Sequence, residues 1–153
     1  GLSNCRPSSR GEIMIRSRNP QDYPRITPNA YSTNADVDEM LAAVKFVRKI
    51  ASMPAMAEVI EEEVLPGPSI TSDADLIHDF RKRSGTVYHP VSTCRMGPDA
   101  GRSVVDPRLK VHGLSGLRVI DASIFPDNIT GNTNAASILT GWKGAELVLE
   151  DHT

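Results

Sequence analysis

The 153-residue chain has little of several things that would narrow its role at once. It carries two cysteines, Cys5 and Cys94, far apart and outside any C-x-x-C pattern. That spacing indicates neither a disulfide framework nor a thiol redox pair, and two reduced thiols in a cytoplasmic protein is the expectation. Net charge is −2 at pH 7, which removes an electrostatic case for nucleic acid. No apolar run approaches the ~20 residues needed to span a bilayer, so no membrane span is predicted. The opening Gly1-Leu2-Ser3-Asn4 lacks both a secretory pattern and an initiator Met, and the chain reads as a piece of something longer. The apolar fraction, 39%, is low for a globular chain, yet the length suffices for one domain with a real core.

What is present is turn-rich, with eleven Pro and eleven Gly. Residues 1–10 read as a loop. Gly11 to Arg18 alternates, with Ile13 and Ile15 on one face, and predicts a half-buried strand. Arg25 to Tyr31 predicts a short second strand, confined to an edge or bulge by Pro28. Asp36-Val37-Asp38-Glu39 has the form of a capping box. Val37, Met40, Leu41, Val44, Val47 and Ile50 follow at helical spacing up to Pro54. A shorter helix is expected from Ala55 to Glu63. Another begins at Ser72, carries Leu76, Ile77 and Phe80, and ends at Gly85 as a C-cap. Glu61-Glu62-Glu63 and Arg81-Lys82-Arg83 read as solvated faces rather than ligand sites.

After Gly85 the texture changes. Thr86 to His89 is β-prone and runs into Pro90, which biases His89 to an extended backbone. Val104-Val105 and Leu109 to Gly113 predict a short ribbon. Leu117 to Ile120 predicts a buried strand with Asp121-Ala122-Ser123 at its end. A final helix is expected to carry Ala135, Ile138, Leu139, Trp142, Ala145 and Leu149 on one side. Strand, acidic end, loop and helix in that order place ligand-binding groups at a sheet's C-terminal edge.

His89 lies among small polar residues, with Gly97 and Pro98 shaping the backbone just beyond. Imidazole is the side chain whose ordinary pKa suits taking an alcohol proton near neutrality. Asn132 and Asn134 just precede an apolar helical run. They read either as simple N-caps or as part of a helix start whose free N–H groups and positive end face an anion. An imidazole and a carboxamide beside such a helix start are what alcohol deprotonation with hydride transfer to a flavin would need, because a reduced flavin gains negative charge. Asp121 reads equally as the cap of a backbone turn or as a contact to a dinucleotide. His78, His112 and His152 read as surface or packing residues. A metal site from His89 and Cys94 lacks further ligands at sensible spacing, and zinc is rejected.

Four segments, taken in order, resemble the C-terminal portion of the glucose–methanol–choline (GMC) flavoprotein oxidoreductases. They are Tyr88-His89-Pro90-Val91-Ser92-Thr93-Cys94-Arg95-Met96-Gly97, Val104 through Gly113, Gly116-Leu117-Arg118-Val119-Ile120-Asp121-Ala122-Ser123-Ile124-Phe125-Pro126, and Gly131-Asn132-Thr133-Asn134-Ala135. The resemblance implies an FAD-dependent enzyme oxidising a small-molecule alcohol to an aldehyde or ketone. His89 falls on the family's histidine that assists proton removal, and Asn132 on its partner position. The His/Asn pair is similar to choline dehydrogenase-like members rather than to those with two histidines. Asp121 and Ala122 fall where the family meets the FAD diphosphate and ribityl chain, and Asn132, Thr133 and Asn134 fall beside the isoalloxazine ring.

The family also grips FAD with a Gly-x-Gly-x-x-Gly turn, and no such motif occurs in these 153 residues. The chain alone is therefore expected to bind FAD weakly or not at all, and to need a missing N-terminal FAD-binding portion as partner. The expected fold class is α+β for this chain, within a parent enzyme of α/β class. Residues 1–85 would form a substrate-side antiparallel sheet with helices. Residues 86–153 would carry the catalytic histidine, with a final strand and helix completing an FAD-binding Rossmann-like domain. Two alternatives stay open: an FAD-containing hydroxynitrile lyase-like member, or a non-catalytic truncated module.

Overall fold

In the computed structural model residues 1–152 are described, and they form two compact units divided after Thr86. The fold is mixed α and β, with helices and a small two-stranded antiparallel sheet.

In the first unit β1 (Glu12–Met14) pairs with β2 (Arg25–Thr27), Ile13 opposite Ile26. Both strands are shorter than the alternation predicts, and both faces are exposed: Ile13 and Ile26 on one face are 49% and 63% accessible, Met14 on the other 48%. A two-stranded ribbon offers each strand one neighbour and, within this chain, no covering layer, so the apolar face stays open. Gly11 is required here, because a Cβ would stand 2.4 Å from the Thr27 carbonyl oxygen.

Helix α1 (Asn34–Ala51) starts earlier than the expected capping box. Thr33 is the N-cap and its hydroxyl accepts from the Asp36 amide. Asp36, only 3% exposed, is instead the anchor of the N-terminal loop. It accepts from the Ser8 amide at 2.7 Å, the Ser8 hydroxyl at 2.8 Å and the Ser9 amide at 2.8 Å. Burial alone would raise its pKa, but the combined donors from Ser9 and Ser8 outweigh it and hold the carboxyl well below the usual carboxylate range.

Helix α2 (Pro54–Ala57) is a single turn with no buried residue, so nothing extends it through the acidic run to Glu63. Glu63 is not simply solvated: Arg48 grips it with two guanidinium nitrogens while also donating to the carbonyls of Gly67 and Ile70. Helix α3 (Asp73–Arg83) begins at Ser72 as expected, but extended Ser84, not Gly85, closes it. Arg83, in the basic run, pairs back to Asp79. Val37, Met40 and Phe80 form the core between α1 and α3, with Tyr31 tilted against Phe80 at 5.2 Å.

The second unit is built mostly from irregular segments tied by backbone bonds. Val105 is fully buried at the centre of a cluster with Leu109, Ile124, Phe125 and Leu147. Leu117 to Ile120 forms no strand. It makes one isolated bridge, Lys110 to Arg118, and Leu117 is exposed.

Helix α4 (Asn134–Glu150) departs further from expectation. Its bulky stripe points outward, with Ile138 64% and Trp142 69% exposed. The inward face is Ala136, Thr140, Gly144 and Leu147. Small residues let the helix lie close: a Cβ on Gly144 would stand 2.3 Å from the Ile120 side chain. At its far end Asp151 meets Lys110, Arg118 and Arg108, whose hydrogen bonds, in that order, hold its carboxyl well below the usual range. No helix among the described residues is long and apolar enough to cross a membrane.

Candidate active site

The His89 segment is held by stitching rather than by regular structure. The Cys94 amide donates to Ser123 O at 2.9 Å and the Met96 amide to Ile124 O at 2.8 Å. The Gly97 amide donates to Val105 O at 2.9 Å. Residues 92–97 thus lie along the turn that starts at Asp121. Tyr88 (φ 62°) and Ser92 (φ 69°) flank the histidine in the left-handed region. For residues with a Cβ this costs about 1–2 kcal/mol each, so the surroundings impose the shape.

His89 is half-buried, and its Nδ1 lies 3.2 Å from the Thr133 hydroxyl. Its Nε2 meets no partner among the described residues. In the tautomer that donates from Nδ1 to Thr133, the Nε2 lone pair is open to take a proton.

Thr133 is the N-cap residue of α4, yet it adopts a helical conformation and makes no side-chain cap bond. The first backbone bond of the helix runs from the Ser137 amide to Thr133 O. The amides of Asn134, Ala135 and Ala136 therefore meet no acceptor among the described residues, and the first turn holds no acid. The two asparagines are not caps. Both are exposed, and neither carboxamide makes a hydrogen bond among the described residues. His89 meets the residue between them; the expectation that assigned Thr133 to cofactor contact alone missed its bond to the imidazole.

Asp121 caps the 3-10 turn Ala122–Ile124, its Oδ1 accepting from the Ser123 amide at 2.8 Å. The capping alternative is thus realised, and the exposed Asp121 keeps its other oxygen for a further donor. His112 is more than a packing residue. Its Nε2 lies 3.1 Å from Gly97 O and 3.2 Å from the Ser103 hydroxyl, closing the far end of the His89 segment. Only the short distance in sequence between Gly97, Ser103 and His112 hinted at that knot.

A proton acceptor, open carboxamides and a helix start with unused donors can deprotonate a hydroxyl and stabilise a neighbouring group that gains negative charge. That donor set fits a flavin ring edge.

The family model described as GMC oxidoreductase matches residues 7–141. The chain is 48% identical over 143 residues to an alcohol dehydrogenase (acceptor) of Pseudomonas putida, covering 94% of this chain and 26% of that protein. It is 40% identical to human mitochondrial choline dehydrogenase, covering 94% of this chain and 24% of that protein. Among solved structures, an FAD-dependent oxidoreductase from Chaetomium thermophilum superposes with a TM-score of 0.90 at 29% identity, over 97% of this chain and 26% of that one. The chain spans about a quarter of the length of the curated relatives it matches.

Proposed function

The chain belongs to the GMC oxidoreductase family, and on that premise we propose that it forms the C-terminal part of an FAD-dependent enzyme oxidising a CH–OH group. The observation that carries this reading is the 3.2 Å contact between His89 Nδ1 and the Thr133 hydroxyl, at a helix start whose donors are unspent.

His89 takes the substrate hydroxyl proton at Nε2, and Thr133 holds the ring by its other nitrogen. Asn132, next to Thr133, presents its carboxamide to the same substrate oxygen. Asn132, Thr133 and Asn134 would hold the ring of FAD, and Asp121 and Ala122 its diphosphate and ribityl portion. When bound, FAD supplies the hydride acceptor. The open amides at the start of α4 favour negative charge placed there.

In this reading, residues 1–85 shape the substrate side and residues 86–153 carry the chemistry. The segment Leu117–Ile120 and α4 complete a Rossmann-like FAD domain with the remainder of the polypeptide. Exposed Ile138, Leu139 and Trp142 on α4 support a covering layer outside this chain. Cys5 and Cys94, both free thiols, suit a reducing compartment such as the cytoplasm.

The test is anaerobic addition of alcohols, choline among them, to the full-length flavin-loaded polypeptide. Loss of the oxidised-flavin absorbance is expected. Bound FAD that no alcohol reduces would leave a lyase or a non-catalytic module instead. The 153-residue chain alone is expected to bind FAD weakly or not at all.

A further inference from the structure

We propose that the second unit carries a separate binding site, a recess for a phosphate-type oxyanion built from Ser92, Thr93, Arg95 and Arg102. These residues line one open recess of about 330 Å³, together with Ser103 and Val104. Two of its lining residues carry a buried donor without a partner, the Ser92 hydroxyl and Arg95 Nε. Native proteins rarely leave buried donors unmet, because water lost from them must be replaced by an acceptor.

The charge points the same way. Neither Arg95 nor Arg102 makes an ion pair among the described residues, and no carboxylate lines the recess. Asp99, in the same turn, already accepts from the Gly101 amide at 2.8 Å. The Ser103 hydroxyl is directed at the carbonyls of Gly97 and Asp99, so it offers the ligand only a lone pair.

The unspent donors are thus two guanidinium groups and the hydroxyls of Ser92 and Thr93. Guanidinium forks match tetrahedral oxyanions bidentately. Two positive charges and donors of two kinds suit the several oxygens and double charge of a phosphate better than the two oxygens of a carboxylate. Ser92 is held at φ 69°, a conformation imposed on a residue with a Cβ, and its hydroxyl is one of the two buried donors. The site stands on this geometry and is independent of the flavoenzyme reading.

The probe is inorganic phosphate, followed by phosphorus NMR line broadening against the full-length FAD-loaded polypeptide. Saturable binding is expected, weakened about tenfold by Arg95→Gln or Arg102→Gln, abolished by the pair, and reduced by salt. Should Arg95→Gln not fold, Arg102→Gln and Thr93→Val, both at exposed positions, are expected to weaken binding by themselves. Three results overturn the proposal. One is a holoenzyme with no saturable binding, which would mean that the remainder of the polypeptide supplies the anion. Another is equal binding by wild type and the Arg102→Gln and Thr93→Val variants. The last is phosphate bound by apoenzyme but expelled on FAD loading, which would assign the recess to the cofactor's own diphosphate.

Discussion

The long helices of the two units begin differently. In the first unit Thr33 and Ser72 sit in extended conformation, and their hydroxyls accept from the amides of Asp36 and Asp75. These helix starts are self-sufficient. In the second unit Thr133 is already helical, and its hydroxyl lies against His89 instead. A cap closes a helix start with its own side chain; spending that hydroxyl on an imidazole leaves the end's amides for another group. On the proposed reading, the difference separates a helix end made for stability from one made for chemistry.

The largest effect on folding is expected at the most heavily used group of a capped start. Asp36→Ala leaves the Ser8 and Ser9 amides without their acceptor and should destabilise the chain by about 3 kcal/mol in urea unfolding. Because the folded carboxyl is depressed, its contribution is fully present above its unfolded value near pH 4 and is lost as pH falls further. Stability of wild type but not Asp36→Ala should therefore drop steeply in that acid range.

Next in size is the seat of α4. Gly144→Ala forces a Cβ into Ile120 and should cost about 1–2 kcal/mol, even against the helix propensity gained. Gly141→Ala, where a Cβ meets nothing within 4 Å, should instead stabilise by up to about 1 kcal/mol. Thermal melts of the two variants moving in the same direction would contradict the assigned inward face.

The caps themselves give a paired test. Thr33→Val should cost about 1 kcal/mol of stability. Thr133→Val should leave melting unchanged while slowing flavin reduction in the full-length enzyme, because its hydroxyl serves His89 rather than the helix. The smallest effect is expected at Asp151→Asn, a slight fall in melting temperature that vanishes at high salt, as befits solvent-screened pairs.

Legibility followed the same division. Periodicity made α1 and α3 readable, because their apolar stripes face each other within the unit; the Ser72 start of α3 was read, whereas the Thr33 cap of α1 was missed in favour of Asp36. The hairpin was over-read, since alternation reports a face fit for burial and not whether this chain supplies the cover. The same reason inverted α4. Its bulky stripe announces a buried face, but small Ala136, Thr140 and Gly144 take the inward side because they permit close approach. The motif singled out His89, whose imidazole the structure sets against the Thr133 hydroxyl. The Thr133 bond was not legible, since the choice between capping and imidazole depends on one residue's backbone angles. His112 was likewise hidden, its partners Gly97 and Ser103 brought near by turns with no periodic signal.

The most direct measurement is the anaerobic rate of flavin reduction by an alcohol in the full-length, FAD-loaded enzyme, compared between wild type and His89→Ala. With flavin content equal, the rate should fall by about 10²–10⁴ and its pH profile should flatten. An unchanged rate and pH profile in His89→Ala would contradict the assignment of the imidazole as proton acceptor.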